Sequence, residues 1–162
     1  MDAYIDIETS YEMEITVIGI YLSNRRFKQF IGSQLTRDSI LNSLKGVKRI
    51  FTYNGDRFDI PMIRRVFDVD LTTEFECFDL MRECHRKKLY GGLKGVERIL
   101  GIRRKTEGID GYQAMRLWHE YKEYGNNRAL KVLLMYNKED TVNLCRIKQL
   151  ILKRYGKEGI AT

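Results

Sequence analysis

In the first half of the chain, short runs rich in β-branched and aromatic residues alternate with segments whose apolar positions recur every three or four residues. Residues 3–8 (Ala-Tyr-Ile-Asp-Ile-Glu) and 14–22 (Glu-Ile-Thr-Val-Ile-Gly-Ile-Tyr-Leu) read as strands, and 26–31 as a third after a turn at Ser23-Asn24. Residues 36–45 open with Thr36 and Asp38 and carry Ile40, Leu41 and Leu44 at helical spacing. Strand character returns over 48–53, and Asn54-Gly55-Asp56 signals a turn. A helix is expected over 58–67, with Pro61 in its first turn, where a missing N–H costs little. A short fifth strand follows at 75–79, then helices over about 80–88, 93–100, 111–124 and 127–155. This order predicts an α/β fold with a mixed five-stranded sheet flanked by helices. Three leading strands form an antiparallel meander, and two more join in parallel through helical crossovers.

The 162 residues suit a single domain spanning 1–162, and neither a linker nor a repeat interrupts them. A chain of this size buries roughly 70% of its unfolded surface, so its core needs no staples. No apolar run approaches the roughly 20 residues of a membrane span. The opening Met1-Asp2-Ala3-Tyr4-Ile5 lacks the pattern of a signal peptide, so a cytoplasmic location is expected. Cys77, Cys84 and Cys145 are odd in number and form no C-x-x-C pair, which makes them small core residues of a reducing compartment rather than a zinc site. Lysine and arginine exceed aspartate and glutamate by 29 − 22 = 7. That surplus favours phosphate backbones. Each basic cluster taken singly (Arg25-Arg26 with Lys28, Arg64-Arg65, Arg86-Lys87-Lys88, Arg103-Arg104-Lys105) reads as a solvated face.

The acids are more informative. Asp6 and Glu8 alternate on a strand and share a face, while Ile5 and Ile7 point to the other. Alone, the pair is also compatible with ordinary charges on an exposed strand. Asp59 follows an apolar strand and the turn at Asn54, at the start of a helix, where a carboxylate complements the macrodipole. Asp56 can serve as the cap instead, leaving Asp59 free. Tyr136 and Asp140 stack one turn apart on a helix whose apolar stripe runs through Leu130, Leu133, Leu134, Leu144, Ile147 and Ile151. Asp140 falls on that stripe. A carboxylate there costs several kcal/mol of desolvation unless a salt bridge or a metal ion compensates it. Were all four acids to meet, each pair at about 4 Å would repel by about 4 kcal/mol at an effective dielectric of about 20. Such a cluster stays ionised only around cations. All-oxygen ligands select magnesium or manganese, and two ions suit an in-line phosphoryl displacement.

With these residues on the page, the chain resembles the DEDD exonuclease superfamily, in its tyrosine subgroup (DEDDy), which includes proofreading domains of DNA polymerases. Asp6-Ile7-Glu8-Thr9 is similar to the first exonuclease motif, Asn54 to Asp59 to the second (N-x-x-x-F-D), and Tyr136 to Asp140 to the third (Y-x-x-x-D). Gly92 to Ile102 is similar to a helix of the YprB-type exonucleases. The resemblance runs from residue 3 to about 152 and implies a ribonuclease-H-like fold. It also implies a 3′–5′ exonuclease that takes the 3′ end of single-stranded DNA or RNA and uses two Mg²⁺ or Mn²⁺ ions. Asp6, Glu8, Asp59 and Asp140 would be the metal ligands, and Tyr136 would orient or help deprotonate the attacking water, positioning being the easier role for a phenol of pKa about 10. Met135 stands where the histidine subgroup has its histidine, which leaves His85 and His119 as surface or packing residues. The resemblance also implies that Thr9, after the first motif, donates to the terminal 3′-hydroxyl, as the same position does in relatives. Asn54 contacts the terminal nucleotide or holds the turn, Phe58 is a core residue or a base-stacking wedge, and Lys94 touches phosphate or solvent. Asp79 caps a helix or supports the metal ligands. A protein partner or a second copy would supply added substrate affinity. The competing readings are a nucleic-acid-binding module without catalysis and a structure-specific endonuclease on the same fold.

Overall fold

A computed structural model of the chain describes residues 1–156. Five strands form one sheet: β1 (Asp2–Thr9), β2 (Ile15–Leu22), β3 (Phe27–Ile31), β4 (Arg49–Thr52) and β5 (Glu76–Asp79), in the order β3-β2-β1-β4-β5. β1 to β3 pair antiparallel as a meander, whereas β4 and β5 add in parallel. The expected mixed topology is therefore present. The helices are α1 (Arg37–Ser43), α2 (Asp59–Phe67), α3 (Leu71–Glu74), α4 (Leu80–Arg86), α5 (Gly92–Leu100), α6 (Gly111–Tyr124) and α7 (Asn127–Tyr155). Two short elements escaped the periodicity: a single 3₁₀ turn at Gly32–Gln34, and α3, which is too brief to show a helical repeat. Side-chain caps mark the helix starts. Thr36 accepts from Ser39 N, Asp70 from Thr72 N, and Asp110 forms a capping box with Gln113.

The two faces of β1 bury different layers. Ala3, Ile5 and Ile7 join Ile18, Ile20, Ile40, Ile63 and Leu71 in the core beneath α1 to α3. Tyr4 faces the opposite side, where Phe51, Leu80 and Leu144 pack. By strand alternation Asp6 and Glu8 also point to that side, toward α7.

α7 lies directly on β1 and β2, and Gly19 makes the close approach feasible. Gly19 pairs with Asp6 across the sheet. A Cβ built on it would stand 2.5 Å from Asn137 Oδ1 and nearer still to Thr141 Oγ1. Neither distance is tolerable, so no larger residue fits beneath the middle of α7 as it stands.

Candidate active site

Three segments distant in sequence deliver the acids. β1 brings Asp6 and Glu8, the start of α2 brings Asp59, and the middle of α7 brings Tyr136 and Asp140. Carboxylate oxygens of Asp6, Glu8 and Asp140 lie within 4.8 Å of one another. Asp59 is buried next to them but stands outside this group of three. Its Oδ1 accepts a hydrogen bond from Ile7 N at 3.1 Å, so one oxygen is tied to the strand that carries the other two acids.

The cluster is electrostatically stressed. Burial raises Asp6 well above the usual carboxylate range, and the charges of Glu8, Asp140 and Asp59 push it further, against a hydrogen bond from Asn137. Asp6 keeps some solvent contact as a residue, but the crowding of acids around its carboxyl denies it the stabilisation of bulk water. Glu8 is likewise raised well above its ordinary value, by burial and then by Asp140, with Lys94 opposing. Asp59 is pushed up to about 7, mainly by burial, against its backbone hydrogen bonds. Burial also raises Asp140, although Lys94 and Arg104 offset part of the effect. Glu8 Oε1 is buried and has no hydrogen-bond partner among the described residues. An orphaned carboxylate oxygen beside two further carboxylates is a donor set that suits a hard divalent cation. The residues present therefore fit the expected metal.

Tyr136 is 3% exposed and sits one turn before Asp140. Lys94 Nζ donates to its hydroxyl at 2.5 Å and lies 4.5 Å from its ring centroid. Burial and the neighbouring acids raise the phenol far above its ordinary value, so it remains a neutral hydroxyl. Met135, the preceding residue, is 45% exposed and faces away from the cluster. The Lys94 side chain belongs to the site rather than to a solvated helix face. The Tyr136 hydroxyl is its hydrogen-bond partner.

The remaining sequence expectations separate cleanly. Thr9 is buried at the end of β1, where the register with β2 slips. Asn54 adopts a left-handed backbone (φ 59°) and its N–H donates to Asp79 Oδ1 at 2.8 Å, so it holds the turn. Asp79 also accepts from Met81 N and caps α4. Phe58 packs against the large core cluster. Asp56 does not cap α2, because its carboxylate pairs with Arg82 at 2.7 Å. His85 and His119 are exposed and lean on aromatic rings, Tyr90 and Tyr11 respectively. Cys84 and Cys145 are buried and Cys77 is half-buried, all as free thiols.

Two residues of the site escaped the sequence reading. Asn137 is fully buried and donates through Nδ2 to Asp6 Oδ2 at 2.9 Å and to Asp6 O at 3.1 Å. It is held in turn by Gln29 of β3 at 2.8 Å. Its place four residues after Leu133, on the buried stripe, was the available signal. Arg104 was grouped with Arg103 and Lys105 as solvated. That reading is overturned: its side chain is only 7% exposed, and its guanidinium pairs with both Glu97 and Asp140. No motif marks it, since its partners come from two helices. A cavity of about 710 Å³ adjoins the cluster on this side, lined in part by Lys94, Arg98, Arg103 and Arg104.

Comparison with known proteins agrees with this architecture. A family model described as RNase_H superfamily matches residues 3–152. The chain is similar in structure to the family B DNA polymerase from the hyperthermophilic archaeon Pyrobaculum calidifontis, with a TM-score of 0.73 at 16% identity over 93% of this chain. The matched region makes up 24% of the polymerase chain, so this chain spans about a quarter of that protein's length. No curated protein matches the sequence.

Proposed function

The chain belongs to the RNase_H superfamily, and on that premise we propose that it is a metal-dependent 3′–5′ exonuclease that hydrolyses terminal phosphodiester bonds of single-stranded DNA or RNA. One observation carries the reading. Carboxylates from β1 and α7 converge to within 4.8 Å, with a buried tyrosine one turn from the last of them. A structural role does not account for such a cluster, because the acids repel one another and Glu8 Oε1 is left unsatisfied.

Asp6, Glu8 and Asp140, with Asp59 beside them, would hold the Mg²⁺ or Mn²⁺ ions. Bound there, the ions would polarise the scissile phosphate and lower the pKa of water. The protein's own groups do the positioning. Asn137 holds one oxygen of Asp6 and so orients the other. Lys94 donates to the Tyr136 oxygen and so fixes the hydroxyl beside the acids, where it would meet an incoming water or phosphate oxygen. A phenol's ordinary pKa of about 10 suits Tyr136 to orient the water by hydrogen bonding. Thr9 at the end of β1 would receive the 3′-terminal sugar. The polymerase likeness supports the fold, while the direction of attack rests on the resemblance of the three motifs to those of DEDDy exonucleases.

The test is incubation of the purified chain with 5′-labelled single strands of either sugar type, with Mn²⁺, Mg²⁺ or chelator. The expected result is a ladder shortening from the 3′ end that chelator abolishes and a blocked 3′ terminus stalls. Internal cuts on the blocked strand would point to an endonuclease. Binding without cleavage in either metal would point to a module that has lost catalysis.

A further inference from the structure

Arg104 lies in the segment between α5 and α6, flanked by the exposed Arg103 and Lys105. Its side chain is nonetheless withdrawn from water, which is costly for a guanidinium unless every charge about it is matched. Nη1 donates to Glu97 Oε1 at 2.8 Å and Oε2 at 2.9 Å. Nη2 pairs with Asp140 Oδ1 and lies 3.3 Å from Thr106 Oγ1. The guanidinium carbon stands 5.3 Å from the centroid of the Tyr136 ring. Glu97 is fully buried and takes a further hydrogen bond at 2.8 Å from Asn143 Nδ2. Asn143 is on α7, three residues beyond Asp140. The chain of contacts Asp140, Arg104, Glu97, Asn143 therefore closes on the helix from which it starts. Glu139, on the same turn, grips Lys105 N at 2.7 Å and Thr106 N at 3.0 Å, which pins the Arg104 segment to α7.

One oxygen of Asp140 is thus committed to Arg104, and the other lies 3.9 Å from Lys94 Nζ. A planar guanidinium that hydrogen-bonds Glu97 and Thr106 while its charge sits against Asp140 is held in one orientation in a way that a single ammonium is not. Building on the metal-site reading above, we propose that Arg104 is a positioning residue that locks the Asp140 carboxylate, leaving it a single oxygen to offer a divalent ion. Glu97 and Asn143 anchor the lock. None of the three is among the acids that meet the ion, yet all three govern how one of those acids is presented.

The experiment titrates Mn²⁺ into the metal-free 162-residue chain and follows the free-ion signal by electron paramagnetic resonance. Wild type is compared with Arg104→Lys, which keeps the charge and loses the fork, and with Glu97→Gln, which keeps the shape and weakens the anchor. Melting of each protein in chelator reports the fold. Expected is a loss of Mn²⁺ affinity of about 10- to 100-fold in folded Arg104→Lys, the range typical of residues that orient metal ligands. A smaller loss is expected in Glu97→Gln. kcat should fall in both with KM for the oligonucleotide unchanged. Mn²⁺ affinity indistinguishable from wild type in a folded Arg104→Lys would overturn the proposal and leave Arg104 as a clamp on its own segment. Should Arg104→Lys not fold, Glu97→Gln decides by the same criterion. A wild-type chain that takes up no Mn²⁺ would overturn the metal site and this proposal together, whereas wild-type uptake with unaltered variants would overturn this proposal alone.

Discussion

Asp140 carries the most opposing demands of any residue in the site. It is buried, faces two acids, and balances Arg104 on one oxygen against Lys94 near the other. Asp140→Asn and Asp6→Asn keep the volume of the side chain and remove a ligand charge. Cleavage should vanish in both, measured with the labelled-strand assay. In chelator, Asp6→Asn should melt at a higher temperature than wild type, because it relieves the repulsion that raises Asp6 and Glu8. A lower melting temperature would mean that the cluster is not strained as described. Tyr136→Phe removes the hydroxyl that Lys94 holds and leaves the carboxylates in place. It should slow turnover by about 10²-fold, the scale of a misplaced attacking group, with Mn²⁺ affinity little changed.

At the scale of elements, the site depends on how closely α7 approaches the sheet. Gly19 sets that distance on β2, because Asn137 and Thr141 occupy the space that a side chain would need. Gly19→Ala should destabilise the chain by about 1–3 kcal/mol, as overpacking does, measured by urea denaturation. It should also lower activity in the fraction that remains folded, since Asn137 orients Asp6. An unchanged urea midpoint would show that α7 can shift away without cost. The same closeness explains why α7, a single helix, supplies an acid, a tyrosine and an amide to one site. Residues 133, 136, 137, 140, 141 and 144 all fall on its buried face.

For the whole molecule, two groups of carboxylates pull stability in opposite directions as pH changes. Burial alone would raise Asp2, but the hydrogen bonds and charges of Lys148 and Arg49 outweigh it and hold Asp2 below the usual range. The Lys148 and Arg49 contacts are both 2.8 Å. A depressed carboxyl stabilises the fold above its unfolded value of about 4 and loses that contribution as pH falls through its folded value. Asp2→Asn leaves Lys148 buried without its partner and should cost about 3–5 kcal/mol at neutral pH, shrinking in acid. The cluster acts with the other sign. Its acids are raised, Asp59 to about 7, so the native state keeps protons that the unfolded chain releases near pH 4. In chelator its contribution is therefore most favourable below about pH 4, declines as pH rises from there, and is least favourable above about 7. A divalent ion takes the place of those protons. Mn²⁺ should raise the melting temperature more at pH 8 than at pH 5, a difference that scanning fluorimetry reads directly. Equal shifts at the two pH values would argue against binding by these carboxylates.

Much of this was legible along the chain. Alternation and helical spacing located the five strands and the long helices, because burying one face imposes a period on the sequence. The position of Asp140 on an apolar stripe marked it as exceptional, since a charge there must be compensated. What the chain by itself determined was therefore which residues turn inward. Only the folded structure decided what they meet there. Arg104 and Glu97 lie on either side of a chain reversal, and Asn137 reaches across to β1 and β3, so no local repeat records those contacts. Asp59 shows the same limit, for its tie to Ile7 across 52 residues of chain leaves no trace in the local sequence pattern. Periodicity reports the direction of a side chain relative to its own element, whereas a site arises from distances between elements, which close packing sets in three dimensions.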